Sequence, residues 1–209
     1  MKRKVLRSLM CLVQGDSLGL SYQNKPLDGA MVQEGLWSDD TSMVLASLDA
    51  FSYLNGFSMM KNFISWMDEG TYTPRGYSLG MGKTTKEALE RFKRGVHPFA
   101  CGGKEEWSNG NSALVRTWPL AIYAMKKFDL RKEREKALAF IEKMVACTHG
   151  HPRSLLVSRI YSELLWDLFK EGTPQQLRKS LDRLHRVYSE HPQWIYMENA
   201  LAGNYQNGD

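Results

Sequence analysis

The sequence predicts an all-α protein that folds as a single domain. Apolar residues recur at a spacing close to 3.6 along most of the chain, which is the period of an amphipathic helix. No run alternates convincingly between apolar and polar residues, as a half-buried strand would. The chain has 209 residues, of which 43% are hydrophobic, so it can form one substantial core, and no linker or repeat divides it.

Four helices are expected in the first half of the chain, at residues 5–13, 42–53, 57–67 and about 84–94. The first is an apolar stretch that ends before Gln14. The second carries apolar residues close to the helical period. The fourth begins at a capping box, in which Thr84 is the cap and the side chain of Glu87 returns to it.

Four more helices are expected in the second half, at residues 111–128, 131–147, 153–170 and about 174–188. Pro119 predicts a kink or a break in the first of them, because proline removes a helical hydrogen bond. Pro152 suits the first turn of the third helix. Thr173 suits the cap of the fourth.

The segments between these helices are expected to be loops. Three loops lie at residues 14–35, 70–83 and 95–110, two of them long and rich in glycine, and a short turn covers residues 148–151. Long loops in a compact domain are often functional. We therefore expect the polar loops to gather at one end of the helical domain.

The composition limits the classes of partner. The net charge is +5, but the basic residues lie mostly on predicted helices and alternate with acidic ones. This pattern favours a solvated helix face over a nucleic-acid interface. A mild positive field would also attract an anionic small molecule.

Cysteine usage and hydropathy favour a cytoplasmic protein. Cys11, Cys101 and Cys147 are odd in number, widely spaced and without a C-x-x-C pair, which indicates reduced thiols and argues against a zinc site or a disulfide framework. No apolar run approaches the roughly 18 residues of a membrane-spanning helix. The basic N-terminal segment is interpreted as the start of the first helix and not as a signal peptide.

The segment Trp37-Ser38-Asp39-Asp40-Thr41 places two adjacent carboxylates just before a predicted helix. Such a pair can cap the free N–H groups and suit the positive end of the helix dipole. It can also supply hard oxygen ligands to Mg²⁺ or a similar cation. Taken alone, the segment favours capping, because aspartate is common at helix starts.

Three further motifs are ambiguous when each is taken alone. Residues 15–19 read G-D-x-x-G, which is usually a turn. Residues 110–116 read G-N-S-A-L-V-R at a helix start, where free N–H groups bind anions or where Asn111 or Ser112 caps the helix. Residues 148–152 read T-H-G-H-P, and no cysteine or third histidine lies nearby, so stacking or hydrogen bonding by His149 is favoured over metal binding.

The order of these motifs, together with a G-x-T-T segment at residues 82–85, resembles the ADP-ribosylglycohydrolase family over roughly residues 5–161. The resemblance implies an all-α orthogonal multi-helix domain with two Mg²⁺ or Mn²⁺ ions. It implies hydrolysis of the N- or O-glycosidic bond that joins ADP-ribose to a side chain or a small leaving group. The expected partner is therefore an ADP-ribosylated protein or a small molecule that contains ADP-ribose.

The resemblance also implies roles for particular residues. The family's metal ligands correspond to Ser38, Asp39 and Asp40, and the two aspartates are the expected catalytic carboxylates. The expected ADP-ribose contacts are Asp16, Asn111, Ser112 and His149, and the backbone of Gly80 and Gly82 is expected to bind diphosphate oxygens. Glu34 is either an additional carboxylate for proton transfer or a solvated loop residue.

One family segment has no counterpart in this sequence. Relatives carry a C-terminal segment of the type G-x-D-T-D-T, which supplies the remaining metal ligands, and no such segment occurs here. We therefore expect a C-terminally shortened domain with half of the metal site, and an exposed apolar face that favours self-association. Three interpretations stay open: a hydrolase, an ADP-ribose-binding module without catalysis, and a helical interaction domain.

Overall fold

The structure, a computed structural model, describes residues 1–22, 35–53 and 55–201. The described residues form nine α-helices: α1 (Lys2–Tyr22), α2 (Asp39–Asp49), α3 (Gly56–Glu69), α4 (Lys83–Lys93), α5 (Ser112–Lys127), α6 (Arg134–Val145), α7 (Pro152–Lys170), α8 (Pro174–Tyr188) and α9 (Trp194–Leu201). Two short 3₁₀ helices cover Ala50–Tyr53 and Pro98–Ala100. This part of the chain contains no strand, only an isolated bridge between Gly103 and His149. The all-α prediction is confirmed.

Helix α5 lies at the centre of the fold and packs against α2, α6 and α7. Its inward face contributes Trp118, Leu120 and Ala121 to the main core, which α3 closes with Phe63 and Trp66. A smaller cluster joins α7, α8 and the start of α9 through Leu156, Ile160, Leu184, Tyr188 and Trp194. Because α5 is held on several sides, its N-terminal residues have a fixed position.

The first helix is longer than the sequence predicted. Helix α1 continues through the G-D-x-x-G segment to Tyr22, so the turn expected at residues 15–19 is wrong, as is the loop expected at residues 14–22. A glycine inside a helix costs about 1 kcal/mol relative to alanine, so Gly15 and Gly19 are unfavourable for helix formation by themselves. The Asp16 carboxylate accepts hydrogen bonds from Ser38 and Thr41 at the start of α2, and these bonds offset this cost. Residues 23–34, which include Glu34, lie outside the described part of the chain.

The capping box at Thr84 is wrong, and so is a break at Pro119, whereas a kink at Pro119 stays a prediction. Helix α4 begins at Lys83 with Gly82 as its cap and no side-chain capping bond, so the capping box at Thr84 does not form, and Thr84 is buried instead. Helix α5 continues through Pro119 without a break. Pro119 is itself buried, and packing on both sides of this turn holds the helix together despite the missing N–H.

The remaining helices agree with the prediction to within a few residues. Pro152 occupies the first turn of α7, and the Thr173 hydroxyl accepts a hydrogen bond of 3.1 Å from Gln176 N at the start of α8. Helix α9 was missed, because eight residues are too few to establish a helical period. Within the described ranges, no helix is long and apolar enough to cross a bilayer.

Candidate active site

A cleft of about 690 Å³ lies where α1, the start of α2, residues 79–82 and the start of α5 meet. Its walls contain eight of the residues that the sequence singled out: Asp16, Ser38, Asp39, Asp40, Gly80, Gly82, Asn111 and Ser112. His149 is not among the described residues that line it. Segments far apart in the sequence therefore form one concave surface, on which these residues lie beside apolar side chains such as Leu12, Leu79 and Val115.

Asp16 connects α1 to the start of α2. Its carboxylate accepts four hydrogen bonds, two from Ser38 (N at 3.0 Å, Oγ at 2.6 Å) and two from Thr41 (N at 3.1 Å, Oγ1 at 2.6 Å). Both carboxylate oxygens are engaged in these bonds. Asp16, which lies on α1, therefore accepts hydrogen bonds from N–H groups at the N-terminus of α2. These bonds hold in place the helix start that carries Asp39 and Asp40.

Ser38 is the N-cap of α2, and its hydroxyl accepts a hydrogen bond of 3.2 Å from Asp40 N while donating to Asp16. Asp39 and Asp40 follow as the first two helical residues. The capping group at this helix start is thus Ser38. The two carboxylates occupy the first turn, where the positive end of the helix dipole favours negative charge.

Burial and mutual repulsion weaken the acidity of this pair. The pKa of Asp39 is raised from 3.8 to about 7, first by burial and then by the charges of Asp40 and Asp16. The pKa of Asp40 is also raised, by burial and by Asp16. None of the described residues that line the cleft is a lysine or an arginine. A bound cation would relieve this repulsion.

Gly80 brings a loop backbone directly against Asp39. Its φ angle is +79°, and a Cβ atom there would lie 2.8 Å from Asp39 Oδ1, so a side chain would be strained by this backbone conformation and would press on the Asp39 carboxylate. Gly82 caps α4, and a Cβ atom at that position would lie 4.0 Å from Ser112 Oγ. The Trp37 indole Nε1–H donates to Tyr72 O at 3.1 Å and ties the same loop to the acidic segment.

The start of α5 forms the wall that faces the acidic pair. Asn111 is the N-cap residue but makes no side-chain capping bond, and Ser112 is the first helical residue. The first N–H groups of a helix have no partner within the helix itself. This helix start is therefore suited to bind an anion.

His149 lies behind this wall. It is 1% exposed, its Nδ1 lies 2.9 Å from the Thr148 hydroxyl, and its Nε2 would lie 3.1 Å from a Cβ atom placed on Gly110. Burial, and then the charge of Arg116, lower the pKa of His149 to about 3, so the imidazole is neutral. Both ring nitrogens of His151 are engaged in other contacts. Nδ1 accepts a hydrogen bond from Arg153 N and so caps α7, and Nε2 lies 3.2 Å from the Glu106 carboxylate.

Sequence reasoning missed Arg116, the last residue of the G-N-S-A-L-V-R segment. Its side chain is fully buried and donates hydrogen bonds to the backbone oxygens of Met144 and Val145 and to the Thr148 hydroxyl. Burial lowers the pKa of its guanidinium to about 10. A basic residue on the apolar side of a predicted helix was the signal that could have identified it.

The donor set of the cleft fits one hydrated divalent ion better than two ions. Asp39 and Asp40 supply hard carboxylate oxygens, and Mg²⁺ is commonly held by one or two carboxylates and several waters. Among the described residues, no group of three or more His, Cys, Asp or Glu side chains is placed to hold a metal. The carboxylate of Asp16 is already engaged by Ser38 and Thr41.

Comparison with known proteins identifies the family of the chain. A chain named ADP-ribosylarginine hydrolase Tri1 from Serratia proteamaculans (strain 568) is 28% identical over 167 residues, which cover 73% of this chain and 43% of the relative. A protein of the same name from Pseudomonas putida (strain GB-1) is 26% identical over 130 residues, which cover 56% of this chain and 35% of the relative. The chain thus spans about two fifths of the length of these curated relatives. The sequence model of the ADP-ribosylglycohydrolase family matches residues 1–206, and the chain therefore belongs to this family.

Proposed function

We propose that the cleft binds the ADP-ribose group of an ADP-ribosylated substrate and that the protein hydrolyses the glycosidic bond to this group. One observation carries the proposal. The acidic pair Asp39 and Asp40 and the free N-terminus of α5 at Asn111 and Ser112 face the same cleft of about 690 Å³. ADP-ribose combines neutral ribose hydroxyls with a diphosphate, so it needs these two different environments side by side.

The anionic part of the ligand fits the α5 wall. Diphosphate oxygens accept hydrogen bonds, and the start of α5 offers backbone N–H groups without a side-chain cap. The Gly80–Gly82 segment brings further backbone close to the same space, because Gly80 has no side chain. Carboxylates on the opposite wall would repel the diphosphate, so we place the ribose and not the phosphates beside Asp39.

The proposed cofactor is Mg²⁺ or Mn²⁺, held by the carboxylates of Asp39 and Asp40 and by the oxygen of Ser38. A divalent ion there would supply positive charge that binds ribose hydroxyls and makes water more acidic. The carboxylates themselves would stabilise positive charge that develops at the glycosidic carbon. Without the ion the pKa of Asp39 is raised to about 7, and a bound divalent ion would lower this pKa and keep the carboxylate ionised as a ligand.

The names of the relatives suggest which bond to test first. They are ADP-ribosylarginine hydrolases by name, so the N-glycosidic bond of ADP-ribosylarginine is our first proposed substrate. An O-glycosidic substrate is the alternative. We propose a cytoplasmic location, which the three free cysteines support.

The test is a calorimetric titration of ADP-ribose with and without Mg²⁺, followed by an assay of ADP-ribose release from ADP-ribosylarginine. We expect binding that Mg²⁺ strengthens, and release that depends on the ion. The double variant Asp39→Asn with Asp40→Asn should lose both effects. Equal behaviour of the variant and the parent protein would contradict the proposed role of the acidic pair.

A second candidate function is ADP-ribose binding without catalysis. The observation that favours it is the small donor set, because no group of three or more His, Cys, Asp or Glu side chains among the described residues is placed to hold a metal. In the same experiment this function gives binding without release. Absence of both binding and release would contradict the two proposals together.

A further inference from the structure

Arg116 is a buried cation whose described partners include no carboxylate. Its guanidinium donates to Val145 O at 3.0 Å and to Met144 O at 3.4 Å, at the C-terminal end of α6. It also lies 5.5 Å from the centre of the Phe63 ring. The negative end of the α6 dipole stabilises this charge and fixes the guanidinium.

The third described acceptor of Arg116 is the side chain of Thr148, which receives a hydrogen bond from Nη2. Arginine has only donors, so the Thr148 oxygen must use a lone pair toward Arg116. The same oxygen lies 2.9 Å from His149 Nδ1. The hydroxyl hydrogen has no other acceptor among the described residues, so it is directed to Nδ1.

This direction decides the tautomer of His149. A neutral imidazole has one donor and one acceptor nitrogen, so an Nδ1 that accepts leaves the hydrogen on Nε2. The opposite tautomer would leave the buried Thr148 hydroxyl hydrogen without a described acceptor. Burial and the Arg116 charge keep the pKa of His149 low, which agrees with a neutral ring.

The Nε2 end of the ring faces the wall of the cleft. A Cβ atom on Gly110 would lie 3.1 Å from Nε2 and 3.9 Å from Thr84 Oγ1, so the ring is in close contact with the turn that precedes α5. Asn111 and Ser112, which follow this turn, line the cleft. The orientation of the ring is thus linked to the position of the helix start.

We propose that Arg116 and Thr148 are positioning residues that hold His149 as the tautomer with hydrogen on Nε2, and that this ring in turn fixes the Gly110–Asn111 turn for the ligand. The first half of the proposal concerns the protein alone. The second half rests on the proposed ADP-ribose site. The two halves are measured separately.

The test uses protein labelled with ¹⁵N in histidine. Two-bond ¹H–¹⁵N correlations at pH 7 identify which ring nitrogen carries the hydrogen, and His149→Asn assigns the signal. We expect hydrogen on Nε2 in the parent protein and in Thr148→Ser, which keeps the hydroxyl. Thr148→Val should lose this preference. Hydrogen on Nδ1, or a cationic ring, in the parent protein would overturn the proposal.

The binding arm measures the Kd of ADP-ribose in the presence of Mg²⁺. Thr148→Val should raise this Kd about tenfold, because it removes the hydroxyl that joins Arg116 to His149, and Thr148→Ser should restore the Kd to within about twofold. The matched control is Thr117→Val, which removes an equally buried hydroxyl of α5 that bonds Ala113 O and Ser158.

Equal effects of Thr148→Val and Thr117→Val on the Kd would show a general packing effect and would overturn the positioning role. The expected tautomer in a protein that binds no ADP-ribose would support the half that concerns Arg116, Thr148 and His149. The missing ADP-ribose binding would contradict the proposed function. Failure of the proposed function and failure of the tautomer proposal therefore give different results.

Discussion

At the scale of single residues, the acidic segment was the most informative part of the sequence, but its geometry depends on a residue from another helix. The adjacent aspartates were visible as a motif, and the structure places them at the first turn of α2. The sequence could not show that Asp16 would bond Ser38 and Thr41 across 22 and 25 positions. Long-range hydrogen bonds of this kind leave no local pattern.

Gly80 offers a direct test of how closely the loop must approach Asp39. Gly80→Ala should lower the free energy of unfolding by about 1–2 kcal/mol through its positive φ angle, and should weaken Mg²⁺-dependent ADP-ribose binding through contact with Asp39. The matched control is Gly76→Ala, because Gly76 has a φ of +73° but nothing lies near its Cβ position. Denaturant unfolding and calorimetry measure the two effects. The same loss of ligand affinity in both variants would contradict this prediction.

The raised pKa of Asp39 predicts how stability depends on pH. A folded-state pKa raised from 3.8 to about 7 favours the folded state while the group is protonated, and this contribution is lost as the pH rises through that window. Asp39→Asn should therefore gain stability relative to the parent protein between about pH 4 and pH 7 in EDTA. Urea unfolding at several pH values measures the difference. A difference that is constant with pH would exclude this mechanism.

At the scale of secondary-structure elements, the sequence predicted helices well where apolar period and caps agreed, as in α7 and α8. It failed where tertiary contacts overrode local preference. Gly15 and Gly19 suggested a turn, yet α1 passes through them because Asp16 is bound to α2. Thr84 suggested a cap, yet it is buried inside α4. Pro119 suggested a kink or break, yet the packing around α5 holds the helix together.

The junction of α6, α7 and α8 depends on one buried carboxylate. Glu163, whose side chain is 3% exposed, accepts from Arg134, Arg183 and the Tyr188 hydroxyl. Glu163→Gln should lower the free energy of unfolding by about 3 kcal/mol, because it removes the buried negative charge that pairs with the partly buried Arg134 and Arg183.

The matched control for this junction is Glu135→Gln, which removes an ion pair to Arg159 from a side chain that is 77% exposed. It should cost less than about 1 kcal/mol. Chemical unfolding measures both variants. Equal losses of unfolding free energy in the two variants would contradict the claim that burial makes the Glu163 ion pairs more stabilising than the exposed pair of Glu135.

At the scale of the whole molecule, α1 presents apolar side chains to solvent. Leu6 and Met10, one helical turn apart, are 61% and 51% exposed, and Leu18 is 46% exposed. We therefore expect self-association that increases with concentration, since exposed apolar side chains on one helix favour burial against a second surface. Sedimentation velocity measures it, and Leu6→Glu with Met10→Glu should reduce it. A monomer at all concentrations would contradict this expectation.

The central claim is that the acidic pair and the start of α5 form one ligand site. A crystal structure with Mn²⁺ and ADP-ribose tests it most directly, because anomalous scattering locates the ion independently of the ligand. We predict an anomalous peak beside Asp39 and Asp40 and diphosphate density at the backbone of Asn111 and Ser112. A peak elsewhere, or ADP-ribose bound outside this cleft, would contradict the account.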